Sequence, residues 1–283
     1  MCVDLHTHSI YSDGTATPAE IVDLAAAKKL HAVSLTDHDT VAGVFEAVKQ
    51  GRETGITVVP GLEVSAVHRT FSLHILGYGI DPTNLKLTNR LGELQDGRRE
   101  RNRNILDKLQ RLGISLTLDE VERFSHCGQT GRPHIAKLLM HKGIVKTMDQ
   151  AFKNYLGRGK PAWSSRFCYS AAETIDIIHA AGGVAVLAHP GQLDPAMKVQ
   201  PRLIAELVER GLDGLEIFYP THTKKMKKRL LELAARYNLL ATGGSDYHGA
   251  NRSGKGLAGG RNPLCPPDSI LDSLQQRQLQ PVG

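Results

Sequence analysis

The sequence is poor in the features that would place it outside ordinary globular enzymes. It has only 4 cysteines in 283 residues: Cys2, Cys127, Cys168 and Cys265, with no C-x-x-C pair. That spacing predicts neither a disulfide framework nor a thiolate zinc site. No apolar run reaches the ~18 residues of a membrane span, so no transmembrane helix is expected. The opening Met1-Cys2-Val3-Asp4-Leu5-His6 lacks the basic and apolar regions of a secretion signal, and a cytoplasmic location is the expectation. Internal repeats and low-complexity tracts are absent too. A hydrophobic content of 41% and a charged content of 23% are those of a soluble enzyme. The chain is long enough for one α/β barrel with a real core. Its net charge of +6 biases it toward acidic partners, phosphorylated substrates and nucleic acid among them.

Short β-branched or apolar runs alternate with helical patterns, as in βα units. Strands are predicted at residues 3–6, 32–36, 57–62, 72–78, 184–188, 214–218 and 239–242. Thr17-Pro18-Ala19-Glu20 supplies an N-cap, a proline at the first helical position and a capping-box glutamate. Further helices are predicted at 171–181, 201–210 and 224–237. Residues 85–163 break the alternation: no good strand occurs there, and helical periodicity dominates. We read residues 1–84 and 164–283 as the barrel and 85–163 as a helical insertion. Residues 254–267, rich in Gly and Pro, read as loop, with a short final helix from Asp268.

The sequence holds 13 histidines, and their placement matters more than their number. Asp4-Leu5-His6-Thr7-His8 ends the first strand with two imidazoles at i, i+2, which extended backbone projects from one face. Asp13 follows in a turn. Thr36-Asp37-His38 ends the second strand and Gly61-Leu62-Glu63 the third. His74 lies within the fourth, Ala188-His189-Pro190 ends the fifth, and Ser245-Asp246-Tyr247-His248 ends the last. In a parallel barrel such strand ends converge on one site. Nitrogen and carboxylate donors without thiolate suit Mn²⁺, Zn²⁺ or Fe²⁺. The set His6, His8, Asp13, His38, Glu63, His74, His189, Asp246 and His248 exceeds the needs of one ion, so two or three divalent ions are expected. His31, His68, His126, His141 and His179 read as structural or surface residues.

Asp4-Leu5-His6-Thr7-His8-Ser9, Thr36-Asp37-His38, Ala188-His189-Pro190 and Ser245-Asp246-Tyr247-His248 resemble, in order, the four motifs of the PHP (polymerase and histidinol phosphatase) family, and the resemblance spans the whole chain. The resemblance implies a distorted (β/α)₇ TIM-like barrel with a trinuclear metal centre and phosphoesterase activity. It implies that His6, His8 and Asp246 hold one ion and His74 and His189 a second, with Glu63 bridging. Asp13, His38 and His248 would hold a third, Asp13 standing where some branches carry histidine. Asp4 and Asp37 are expected to orient ligand imidazoles. Glu63 and Asp246 become the catalytic carboxylates, and His222, past the sixth strand, is the candidate leaving-group acid.

Residues 85–163 hold the substrate clue. Leu91, Leu94, Arg98, Arg101, Ile105, Leu109 and Leu112 form one helical stripe in which two arginines replace apolar residues. An arginine facing a core needs an anion or a carboxylate. Arg132 precedes Pro133 and His134 at a predicted helix start, where free N–H groups favour an anion. Arg98, Arg101 and Arg132, with His134 beside them, suggest a second phosphate pocket. Ser12-Asp13-Gly14 and Gly97-Arg98-Arg99-Glu100-Arg101 resemble the branch containing nucleoside 3′,5′-bisphosphate phosphatase and a related 5′→3′ exoribonuclease. That implies a nucleotide or short oligoribonucleotide substrate, with no membrane and no obligate protein partner. Two rivals stand beside it: a histidinol-phosphate phosphatase, and a non-catalytic nucleic-acid-binding module suggested by the basic run Lys224-Lys225-Met226-Lys227-Lys228-Arg229. Leu230, Leu231 and Leu233 after that run favour a barrel helix with a solvated basic face.

Overall fold

The structure, a computed structural model, describes residues 1–125, 129–252, 256–259 and 264–279. His126, Cys127 and part of the 254–267 loop lie outside the described residues. In chain order the first elements are β1 (Val3–Thr7), α1 (Pro18–Ala27), β2 (Ala32–Leu35), α2 (Val44–Thr54), β3 (Thr57–His68) and β4 (Phe71–Tyr78). Helices α3 (Leu85–Arg111), α4 (Leu118–Glu122), α5 (Arg132–His141) and α6 (Met148–Ala151) follow, the last running into a π turn at Phe152–Leu156. The chain then forms β5 (Tyr169–Ser170), α7 (Ala171–Ala180), β6 (Val184–Leu187), α8 (Gln200–Val208) and β7 (Gly214–Phe218). It ends with α9 (Lys224–Arg236), β8 (Leu240–Gly243) and α10 (Ser269–Gln278).

The sheet runs β1-β2-β3-β4-β6-β7-β8, with the short β5 paired on β3. Bonds from His8 N to the Tyr247 carbonyl and from Tyr247 N to the His6 carbonyl, 2.8 and 3.3 Å, join its two ends into a barrel. The barrel is distorted because β4 is antiparallel to both neighbours. The convergence of parallel strand ends expected from the sequence therefore needs correcting at one strand. β3 continues past Glu63 to His68 and returns as β4, and His74 faces Ser65 across that hairpin. His74 thus reaches the site from the middle of a strand rather than from its end.

The local signals explain the rest. Thr17 accepts from Glu20 N at 3.1 Å, and Glu20 accepts from Thr17 N at 2.7 Å, closing the predicted capping box. Helix α2 carried little signal, since only Val44, Ala47 and Gly51 of its 11 residues are buried. On α9, Leu230 and Leu233 are buried but Leu231 is exposed, so the inward face is narrower than the leucine run suggested. Helix α3 spans two cores. Leu87, Leu91 and Leu94 pack into the barrel's apolar cluster, whereas Ile105, Leu106 and Leu109 belong to a second cluster with Val121, Ile135, Leu139 and Leu156. Leu112, placed on the same stripe by its spacing, caps the helix and is exposed.

One expectation about the cysteines is overturned: Cys2 and Cys265 are disulfide-bonded, with Cα atoms 4.9 Å apart. They lie 263 positions apart. The fold brings them together by laying the C-terminal segment against β1, where Val3 N donates to the Pro266 carbonyl at 3.0 Å.

Candidate functional site

All nine expected ligand residues meet at one end of the barrel. Glu63 is the hub. Its Oε1 lies 2.9 Å from His74 Nδ1 and 3.0 Å from His189 Nε2. Its Oε2 lies 2.9 Å from His38 Nδ1, 3.2 Å from His8 Nε2 and 3.3 Å from His6 Nε2. Asp246 Oδ1 approaches His8 Nε2 at 3.3 Å and His6 Nε2 at 3.6 Å. Asp13 Oδ1 lies 3.2 Å from His248 Nε2, 3.9 Å from His38 Nε2 and 4.0 Å from His8 Nδ1. The donor atoms fall into overlapping groups: His8, Asp13, His38 and His248; His6, His8 and Glu63; His38, Glu63 and His74.

The donor set fits divalent ions. Asp13 Oδ1, Glu63 Oε2, His38 Nδ1, His74 Nδ1 and His248 Nε2 are buried and make no hydrogen bond, although they crowd together. Buried polar atoms are normally satisfied, and a shared cation would satisfy all of these. The charges are mutually dependent. Burial alone would raise the Glu63 carboxyl, yet the surrounding imidazoles, His74 foremost, hold it well below the usual range. Asp13 and Asp246 are lowered in the same way, chiefly by His248 against burial. The imidazoles divide: burial lowers His38 to about 4, whereas the carboxylates around His6 and His8 raise both against burial, His8 to about 9. Three residues here also have unusual backbone angles. His189, Asp246 and Asp39 adopt positive φ, at 31°, 54° and 54°, a region that disfavours side chains other than glycine.

The residues that aim the ligands are partly not those expected. Asp4 accepts from Ser245 N at 2.8 Å and Ala258 N at 2.7 Å, and so ties β1 to the loop carrying Asp246. Asp37 accepts from Ser9 N at 2.8 Å and from the Ser9 and Ser12 hydroxyls. Both carboxylates hold backbone and serines rather than imidazoles. The imidazole partner is Glu216, fully buried on β7, whose Oε1 meets His6 Nδ1 at 2.8 Å and whose Oε2 accepts from His189 N at 2.7 Å. A glutamate inside the apolar run Gly214-Leu215-Glu216-Ile217-Phe218 was the available signal. Past the same strand, the Tyr219 hydroxyl donates to Asp246 Oδ2 at 2.7 Å, and Arg252 pairs with that oxygen.

His222 is the clearest departure from expectation. Its Nε2 accepts from Gly191 N at 3.1 Å and its Nδ1 meets the Ile217 carbonyl at 3.0 Å. Both ring nitrogens meet backbone groups, so the imidazole braces two loops. His134 Nδ1 accepts from Gly131 N at 3.0 Å, and the residue lines a small pocket with Asp13, His38 and Arg98.

Beside the metal ligands lies a cleft of about 310 Å³ lined by Arg69, Arg101, Arg132, Arg158, Arg166 and His74. No carboxylate among the described residues lines it. Burial, with the guanidiniums of Arg98, Arg166 and Arg132, pushes Arg101 well below its ordinary range; Arg132 and Arg166 are lowered likewise. Cations that destabilise one another in a buried cleft call for an anion. Arg98, grouped with Arg101 by spacing, does not line it. Its Nε and Nη2 meet the Asp39 carboxylate at 2.6 and 2.5 Å. Arg166 takes the place expected of Arg98, and no helical stripe marked it because it lies beyond the helices.

Residues 4–156 match the PHP domain family. The chain is 35% identical to the 3′,5′-nucleoside bisphosphate phosphatase of Chromobacterium violaceum over 283 residues, which cover 99% of each chain. It is 36% identical to the 5′-3′ exoribonuclease of Haemophilus influenzae over 245 residues, 87% of this chain and 89% of that one. A crystal structure of a metal-dependent phosphoesterase from Bifidobacterium adolescentis superposes with a TM-score of 0.87 at 32% identity, covering 99% of this chain and 98% of that one. With the ligand residues gathered as the four motifs imply, the chain belongs to the PHP domain family and is a hydrolase of phosphoric esters.

Proposed function

We propose that this chain removes the 3′-phosphate from nucleoside 3′,5′-bisphosphates, adenosine 3′,5′-bisphosphate among them, leaving nucleoside 5′-monophosphates. The same chemistry would trim short 5′-phosphorylated oligoribonucleotides from the 5′ end. One observation carries the reading: His74, on Glu63, also lines the cleft that holds Arg101, Arg132 and Arg166. A substrate with two phosphates can place one at the ligand cluster and the other against the guanidiniums. The names of the relatives from Chromobacterium violaceum and Haemophilus influenzae support it.

In this reading His6, His8 and Asp246 would hold one ion, His74 and His189 a second, and Asp13, His38 and His248 a third, with Glu63 shared. Of the metals such donors suit, Mn²⁺ is our first choice, ahead of Zn²⁺ and Fe²⁺. When bound, divalent cations neutralise phosphoryl oxygens and acidify water, which is what phosphate ester hydrolysis requires. The chain's residues do the rest. Glu216 fixes the His6 ring, Tyr219 and Arg252 fix Asp246, and the arginines hold the 5′-phosphate so that the 3′-ester faces the imidazoles.

Steady-state kinetics with Mn²⁺ test the proposal. Adenosine 3′,5′-bisphosphate is expected to exceed adenosine 3′-monophosphate in kcat/KM by on the order of 100-fold, the value of one to two charge-assisted contacts. Equal values would defeat it, and faster turnover of histidinol phosphate would favour the other phosphatase.

A further inference from the structure

Asp39 follows the ligand His38 and is fully buried with φ of 54°. Its backbone N donates to the carbonyl of Glu63 at 2.9 Å. Asp39 Oδ2 accepts from Arg98 Nε at 2.6 Å, from Arg166 Nη1 at 3.2 Å and from the Ser65 hydroxyl at 3.1 Å. Asp39 Oδ1 accepts from Ser65 N at 2.7 Å. Helix α3 adds Gln95, whose Nε2 donates to the Asp39 carbonyl at 3.0 Å.

We propose that Asp39 is the positioning residue that joins the arginine cleft to the metal centre and sets the preference for 5′-phosphorylated substrates. The proposal rests on the reading of the cleft as the 5′-phosphate site. The physical argument has two parts. One residue spans both regions: its N–H bonds the Glu63 carbonyl while its carboxylate holds Arg98 and Arg166, so movement of the guanidiniums is felt at the ligand cluster. The carboxylate also sorts the arginines. It occupies the fork of Arg98 and takes one N–H of Arg166, which turns the remaining N–H groups of Arg166 toward the cleft that Arg101 and Arg132 line. Positive φ is free for glycine and tolerated by asparagine and aspartate, whose short polar side chains can bond locally. A residue chosen for backbone shape alone would be better served by glycine. A carboxylate there, bonded to Arg98 and Arg166, points to its two arginines.

That conformation supplies the test. Asp39→Asn keeps shape and loses charge; Asp39→Gly keeps the backbone without strain and loses the side chain. Protein freed of metal with a chelator is titrated calorimetrically with adenosine 5′-monophosphate, which carries only the 5′-phosphate. Each variant is then reconstituted with Mn²⁺, its metal content measured, and kcat/KM compared for adenosine 3′,5′-bisphosphate and an aryl phosphate. We expect both variants to bind the nucleotide about 10- to 100-fold more weakly than wild type. Bisphosphate turnover should fall at least 10-fold more than aryl phosphate turnover, at wild-type metal content. Wild-type affinity in both variants would overturn the proposal, as would equal losses on both substrates or a loss of metal. Failure of the wild-type protein itself to bind adenosine 5′-monophosphate would instead defeat the reading of the cleft.

Discussion

The metal centre and the arginine cleft share a wall and are electrical opposites. The first gathers carboxylates and imidazoles whose lone pairs crowd one another; the second gathers guanidiniums that depress one another's basicity. The first suits cations and the second an anion. Their construction differs as well. The expected ligands stand within strands (His6, Glu63, His74) or in the segments that directly follow strands, and sheet pairing sets their spacing. The arginines come from a long helix, a helix start and a loop, and their spacing depends on how those segments pack against one another. The comparison teaches that a strand-borne site can be recognised from short motifs, whereas a helix-and-loop site is assembled by packing.

Breaking the shared ligand should have the largest effect. Glu63→Gln removes the carboxylate that five imidazoles face, and turnover should fall by at least ~1000-fold with loss of bound metal, checked by elemental analysis beside kinetics. Chelation of the wild-type protein separates the two regions directly. Activity should vanish while adenosine 5′-monophosphate still binds, as calorimetry would register; loss of both would mean the cleft depends on the metals. Within the cleft, Arg101→Ala should lower kcat/KM for the bisphosphate by about 10- to 100-fold with little change for an aryl phosphate. Its melting temperature should hold, because relieving a crowd of buried cations offsets the lost packing. Arg98→Ala is the contrast. It strips a partner from a fully buried carboxylate and should destabilise the fold by about 3–5 kcal/mol in denaturant unfolding. The smallest change in rate is expected from His222→Ala. Removal of a general acid would slow turnover by about 10²–10⁴-fold. A brace between two loops should instead leave kcat within about fivefold and lower stability by about 1–3 kcal/mol.

Much of this was legible in advance. All seven strands on the sheet path coincide with apolar runs, because each needs an inward face and has little length in which to hide it. The ligand set was legible because imidazoles and carboxylates at strand ends have few reasons to recur in order. Two kinds of feature were not. Antiparallel β4 looks like a parallel strand in sequence, since direction leaves no trace in side-chain alternation; only its short link to β3 hints at a hairpin. Partnerships across long separations were also hidden. Glu216 finds His6 over 210 positions, and Cys2 finds Cys265 over 263. The contacts of His222 were hidden too, since nothing in its neighbours reveals that both nitrogens face backbone.

By itself the sequence determined the chemistry available: which side chains can hold cations, which can hold anions, and which segments become strands and helices. Those choices rest on residue type and on periods of two and 3.6, which are local properties. Only the tertiary structure decided which arginine enters the cleft and which is consumed by a carboxylate, since Arg98 and Arg101 sit one turn apart on one stripe. That outcome depends on Asp39, 59 positions from Arg98, meeting it in a buried space where a charge must find its partner.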